Sequence, residues 1–150
     1  MAGLYFEEFS EGHVFEHELR RTVTEADNML FSNMTMNPQP LHIDHAFAAD
    51  SAWGKPLVNS LFTLGLVIGL SVQDTTLGTT IGNLGMSDTV FPAPVFHGDT
   101  VRVTTEVAGL RASKSKGDRG IVEFIHRGYN QRDELVCQCR RQAMMMRKPA

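Results

Sequence analysis

The sequence predicts an α+β domain in which one antiparallel sheet curls around a single long helix at about residues 57–73, and three stretches carry that prediction. The run from Leu57 to Val72 holds no charged residue. It is too short and too polar at its start to span a bilayer, which takes about 20 apolar residues, so it reads as a helix that other parts of the fold must cover. Past Asp74 the texture changes to successive strand-like segments with turns between them. Among these, Val101, Val103, Thr105 and Val107 alternate with Arg102, Thr104 and Glu106 through about Leu110, the clearest period of two in the chain. Consecutive strands after helices imply an antiparallel sheet, and curling it round the apolar helix buries both.

In order, Gly12 to Val23 shows the imperfect alternation of a first strand, with His13 and His17 read as surface residues. Thr24 then caps a helix running to about Met34, with Glu25 and Asp27 in its first turn and Leu30, Phe31 and Met34 as its apolar face. Two prolines make Asn37 to Leu41 a loop, because proline lacks an amide donor and holds its predecessor extended. Asp44 to Ala52 is a second short helix with Phe47 and Ala48 inward, broken near Trp53-Gly54-Lys55-Pro56. In the central helix Asn59 is the N-cap, Ser60 the first helical residue, and Gly65 and Gly69 a smooth stripe for close strand packing. Thr79 to Phe91 is a strand bulged by its glycines, Phe91 to Val95 a break, and His97-Gly98-Asp99-Thr100 a turn into the alternating strand. Ala112 to Gly120 is a basic loop, and Ile121 to Gln131 and Leu135 to Met146 are the last two strands. The sum is the hot-dog architecture.

At 150 residues the chain is expected to form one domain over 1–150, large enough to bury a core without metal or disulfide support. A net charge of -3 and the absence of a basic tract interleaved with aromatics argue against a nucleic-acid partner. The first residues lack the positive and apolar regions of a secretion signal, which makes the cytoplasm the expected compartment. Cys137 and Cys139, two apart on a strand, face the same way and read as reduced packing residues. The six histidines lack zinc-like spacing, so no metal and no separate cofactor is expected.

The chemistry concentrates in the proline-stiffened loop, which carries Asn37, Gln39, His42 and Asp44. Either His42 and Asp44 only cap a turn and begin a helix, or the loop builds a site. The first amides of the central helix, at Ser60, form a ready anion site beside it.

The loop and its surroundings resemble the MaoC-like hydratases, also called R-specific enoyl-CoA hydratases, whose signature is roughly Asp-x-Asn-Pro-Leu-His-x-Asp after a short helix. The resemblance extends through Phe47-Ala48-Ala49, Lys55-Pro56-Leu57-Val58, and the run Phe91-Pro92-Ala93-Pro94-Val95-Phe96-His97-Gly98-Asp99-Thr100. It implies hydration of a 2-enoyl-CoA thioester, or the reverse dehydration, at a site shared between the subunits of a homodimer, with a dimer of dimers open. On this sequence His42 takes the family's histidine position and the Ser60 amide its oxyanion position. The family's aspartate falls on Asn37, its asparagine on Gln39, and a serine of its central helix on Ile68. An amide does not accept a proton at neutral pH as a carboxylate does. Asn37 could therefore hold water while His42 moves both protons; Asp44 could serve instead; or the chain could keep the pocket without the chemistry. The first is favoured, since the imidazole pKa suits both directions of transfer, and Asp44 is assigned to orienting His42 or capping its helix.

The loop Met36 to His42 and the pair Asn59-Ser60 are similar to the branch acting on dicarboxylic acyl-CoAs such as mesaconyl-CoA or itaconyl-CoA. A substrate carboxylate would then want Lys55 or Arg127. The CoA phosphates would meet Arg111, Lys114, Lys116 and Arg119 in the basic loop. The rivals are a hot-dog thioesterase, disfavoured because no carboxylate occurs from Leu57 until Asp74, and a non-catalytic acyl-thioester binding protein, motivated by Asn37.

Overall fold

The computed structural model describes residues 3–150. A short 3-10 turn, Phe6–Glu8, leads to β1 (Val14–Thr22), α1 (Glu25–Met34), α2 (Pro40–Ile43), α3 (His45–Ala49), α4 (Ser60–Thr75), β2 (Thr80–Val90), β3 (Thr100–Ala112), β4 (Arg119–Tyr129) and β5 (Leu135–Met146). The strands form one antiparallel sheet in the order β1-β3-β4-β5-β2, and α4 lies across one face, touching β1, β3, β4 and β5. This is the hot-dog arrangement expected from the apolar run and the consecutive strands. Among the described residues no helix is long and apolar enough to cross a membrane.

α4 starts where the Asn59 cap ends, so Leu57 and Val58 stay extended and bridge to Phe96 and Val95 instead of joining the helix. The helix packs closest at Gly128 of β4, where an added Cβ would overlap Val67. Two apolar clusters flank this crossing. Val58, Val67, Leu70, Val95, Val101, Val103, Val136 and Cys137 form one under the front of α4. Phe9, Val107, Val122, Phe124, Ala143 and Met145 form the other toward the far end.

Between them runs a buried polar chain. Asp74 contacts His17 Nδ1 at 2.8 Å, His17 Nε2 contacts Thr105 at 2.8 Å, Thr105 contacts His126 Nδ1 at 2.9 Å, and Arg141 Nε donates to His126 Nε2 at 3.0 Å. His17 is therefore not a surface residue; it is 7% exposed, because this chain gives its imidazole partners on both nitrogens. Burial, with the Arg141 charge second, pushes the His126 pKa down to about 3. Cys137 and Cys139 are buried free thiols, and burial raises Cys137 to about 12.

Other expectations also change. α1 buries Asn28 and Ser32, while Leu30 and Met34 are 63% and 73% exposed; of the expected apolar face only Phe31 is half-buried, edge-on to Phe62, so the fully buried side of the helix is polar. Pro40 opens a helical turn rather than prolonging a loop, since the first helical position has no intrahelical use for an amide donor. In α3, Ala48 is inward but Phe47 is half-exposed. Gly65 and Gly69 do not meet strands among the described residues: both are exposed, and a methyl group at either would stand in open space. One flank of α4 is thus uncovered in the single chain, and Leu61 on it is 58% exposed.

Candidate active site

The site forms where α1, the α2–α3 segment and the start of α4 meet, and its centre is Asn28. Thr24 caps α1 reciprocally, its hydroxyl accepting from the Asp27 amide while the Asp27 carboxylate accepts from the Thr24 amide. One turn on, Asn28 points inward with no exposure. Its Oδ1 accepts from the Asn59 amide at 2.9 Å. Its Nδ2 lies 3.0 Å from the Leu57 carbonyl, 3.2 Å from the His42 carbonyl and 3.0 Å from His97 Nε2. One side chain therefore ties together the catalytic-type loop, the entry to α4 and the turn before β3. Ser32, one turn further, accepts from Asn59 Nδ2 at 3.3 Å.

His42 sits on α2 with its Nδ1 2.7 Å from the Leu57 carbonyl. A carbonyl only accepts, so Nδ1 carries the proton and Nε2 is left with the lone pair. The ring is buried to 9% exposure, on a turn that Pro40 pre-forms. Asn37 is half-buried and its Oδ1 accepts from the Gln39 amide at 3.0 Å, an Asx turn that leaves the Asn37 NH2 group as donor. Gln39 itself is exposed. Asp44 does not hold His42: its carboxylate accepts from the Phe47 amide at 3.0 Å as the N-cap of α3, the second of the two roles expected for it.

At α4, Asn59 Oδ1 accepts from the Leu61 amide at 3.0 Å, so the Asn59 side chain is occupied on both ends by structure. Ser60 is the first helical residue and its N–H lacks an intrahelical acceptor, at the positive end of a helix of 16 residues. Ser60 and Thr63 line a cavity of about 180 Å³ with Trp53, Leu57, Val136 and the segment Phe91–Val95. Its walls are chiefly apolar, as an acyl group would require. Leu57 joins the two halves, since it lines the cavity and its carbonyl holds His42.

The cations expected at a substrate separate. Lys55 lies beside the cavity, its Nζ 4.3 Å from the centre of the Phe96 ring, which also packs on Trp53. Arg127 lies on the other face of the sheet, bonded to Glu106 and Gln138, because it neighbours the inward-facing His126 and strand residues alternate. Arg111, Lys114 and Lys116 are exposed at the β3–β4 hairpin. The site adjoins the opposite end of β3, roughly 35 Å away at about 3.3 Å per residue, so one chain does not bring them to His42. Arg119 is paired with Asp118.

Sequence reasoning missed Asn28, Ser32 and His97. Asn28 and Ser32 are four apart on a helix, a polar pair whose spacing puts both on one face. His97 is drawn in by its turn, and burial lowers its pKa from the ordinary histidine value.

Residues 8–128 match the MaoC like domain. The chain belongs to this family. It is 34% identical over 97% of its length to the β-methylmalyl-CoA dehydratase of Chloroflexus aurantiacus, and 31% identical over 98% to the mesaconyl-CoA hydratase of Cereibacter sphaeroides. It covers 41% and 42% of those proteins, so the chain spans about two fifths of their length. Among solved structures it superposes on the MaoC-like dehydratase from Rhodospirillum rubrum with a TM-score of 0.84 and 29% identity, covering 99% of this chain and 100% of that one.

Proposed function

We propose that this MaoC-like chain hydrates the double bond of a 2-enoyl-CoA, or dehydrates the 3-hydroxyacyl-CoA in reverse. The observation that carries the reading is the 2.7 Å contact between His42 Nδ1 and the carbonyl of Leu57, three residues before α4, which leaves the lone pair on Nε2. In the hydration direction His42 Nε2 takes a proton from water as the water oxygen bonds to Cβ. Charge passes to the thioester oxygen, where the Ser60 N–H and the end of α4 stabilise it. His42 then returns the proton to Cα. Asn37 offers its NH2 group to the water oxygen, a positioning task that needs no carboxylate. In this reading Asp44 caps α3 and takes no part in the proton transfers.

The thioesterase alternative has no support in these relatives, whose names are those of a dehydratase and a hydratase. Asp74, the first carboxylate after Leu57, is 14 residues along α4 from Ser60, about 21 Å at 1.5 Å per residue, and is engaged by His17. The substrate in this reading is a short branched dicarboxylic acyl-CoA of the mesaconyl type. The names of those two relatives and the position of Lys55 beside the cavity support it.

A homodimer is part of the proposal. β2 is an edge strand, and it exposes Ile81, Leu84, Met86 and Val90, while the uncovered flank of α4 exposes Leu61. A paired edge would bury this apolar surface and remove an aggregation-prone template. The test is a panel of saturated and 2-enoyl-CoA esters, mesaconyl-CoA included, followed by loss of conjugated absorbance and by free-thiol release. Fastest turnover of the dicarboxylic enoyl ester is expected. Thiol release without hydration, or no turnover of any ester by folded protein, would overturn the assignment.

A further inference from the structure

We propose that Glu25, His45 and His97 form a binding site for one divalent transition-metal ion of the zinc class, separate from the acyl cavity. The three residues come from distant points of the sequence: the first residue of α1, the first residue of α3, and the turn before β3. One ligand atom from each lies within 4.8 Å of the other two, and His45 Nε2 is 3.5 Å from Glu25 Oε1. Ligand atoms held about 2.1 Å from a common ion stand about 3 to 4 Å apart, so small side-chain rotations close the set. Two imidazoles and a carboxylate suit zinc and its neighbours rather than calcium or magnesium, which prefer oxygen alone. Three protein ligands leave a further position for water.

The backbone under the three is fixed independently of any ion. Thr24 caps the turn that carries Glu25, and Asp44 caps the turn that carries His45. The His97 turn is pinned on both sides, since the Gly98 amide donates to the Val23 carbonyl at 2.8 Å and the Asp99 carboxylate accepts from the Phe96 amide at 2.8 Å. A site on held elements needs little ordering when the ion arrives. The His45 and His97 rings lie with centroids 6.1 Å apart, tilted by 44°. Glu25 and His45 are exposed, which gives an ion a path in.

His97 also links the site to Asn28. Because Asn28 Oδ1 accepts from the Asn59 amide, its NH2 group faces His97 Nε2, and that nitrogen is the acceptor. An ion at His97 either takes this lone pair or moves the ring proton onto Nε2. In both cases the Asn28 contact to His97 is given up, and the amide keeps the Leu57 and His42 carbonyls.

The site is tested by calorimetric titration of tag-free, reduced protein with zinc, alongside H45A and E25Q. Neither exposed residue belongs to the acyl-transforming site, so both variants should fold and melt as the parent without metal. The expected result is one ion per chain for the parent, an affinity at least tenfold weaker in each variant, and a zinc-dependent rise in Tm that H45A loses. Binding should weaken as the pH falls, because imidazole must be deprotonated to ligate. Absence of saturable binding, or binding undiminished in H45A, would overturn the proposal; the second outcome assigns the ion elsewhere, the cysteines included.

Discussion

Replacing Asn28 by alanine should destabilise the fold more than its small volume suggests, because four contacts converge on a side chain with no exposure. After truncation the Leu57 carbonyl keeps His42 Nδ1, and His97 is near enough to the surface for water to reach it. The Asn59 amide and the His42 carbonyl lose their partner. A buried polar group left unmade costs about 1–3 kcal/mol, so the two together cost about 2–6 kcal/mol. That is a large part of a typical total of about 5–15 kcal/mol. Urea unfolding followed by Trp53 fluorescence would show it as a midpoint lowered by roughly 1–3 M, for an m-value on the order of 2 kcal/mol/M. Asn28→Asp separates the two halves of the argument: it keeps the acceptor for Asn59 but sets a carboxylate against two carbonyls, so its stability at neutral pH should also fall. A loss under about 0.5 kcal/mol for Asn28→Ala would refute the claim that this amide holds the site together.

His42→Ala should lower kcat by about 10²-fold or more, within the range of general acid/base groups, and Asn37→Ala should cost less; near-normal turnover in folded His42→Ala would end the assignment. The fully buried His126 titrates near 3 when folded and near 6.5 when unfolded, so between those values the unfolded chain binds more protons. Stability is then whole above about pH 6.5 and falls toward pH 3 by at most about 1.4 kcal/mol per unit from this group, and His126→Gln should flatten the curve measured by urea unfolding; an unchanged slope would count against it. Gly128→Ala should destabilise by about 1–3 kcal/mol through overlap with Val67, read from the same unfolding midpoint. No loss there would show that α4 lifts from the sheet at little cost.

The parts of the fold that were legible in sequence are those set by local pattern. The alternation from Val101, the Asn59 cap and the breaks at Gly54 and Pro56 act over a few residues, and they located β3 and the start of α4. The family loop pointed to His42, which the structure holds through the Leu57 carbonyl, and Asp44 caps α3, one of the two roles expected for it. What stayed hidden is decided by partners distant in sequence. α1 looked like a helix with Leu30, Phe31 and Met34 inward, yet of these only Phe31 packs inward, on Phe62, and most of what the helix meets is polar. It meets the unpaired amides and carbonyls around Asn59, Leu57 and His42, and Asn28 and Ser32 satisfy them. His17 was misjudged for the same reason, since its partners Thr105 and Asp74 are 88 and 57 residues away. The basic hairpin is a different case: its charge was legible, but its distance from His42 within one chain follows from the length and direction of β3. The start of a helix is where a fold has spare donors, and a site built there needs both an anion to use some and side chains to satisfy the rest. In this chain Asn28 satisfies the Asn59 amide and Asn59 that of Leu61, and the Ser60 amide between them is the donor proposed for the substrate.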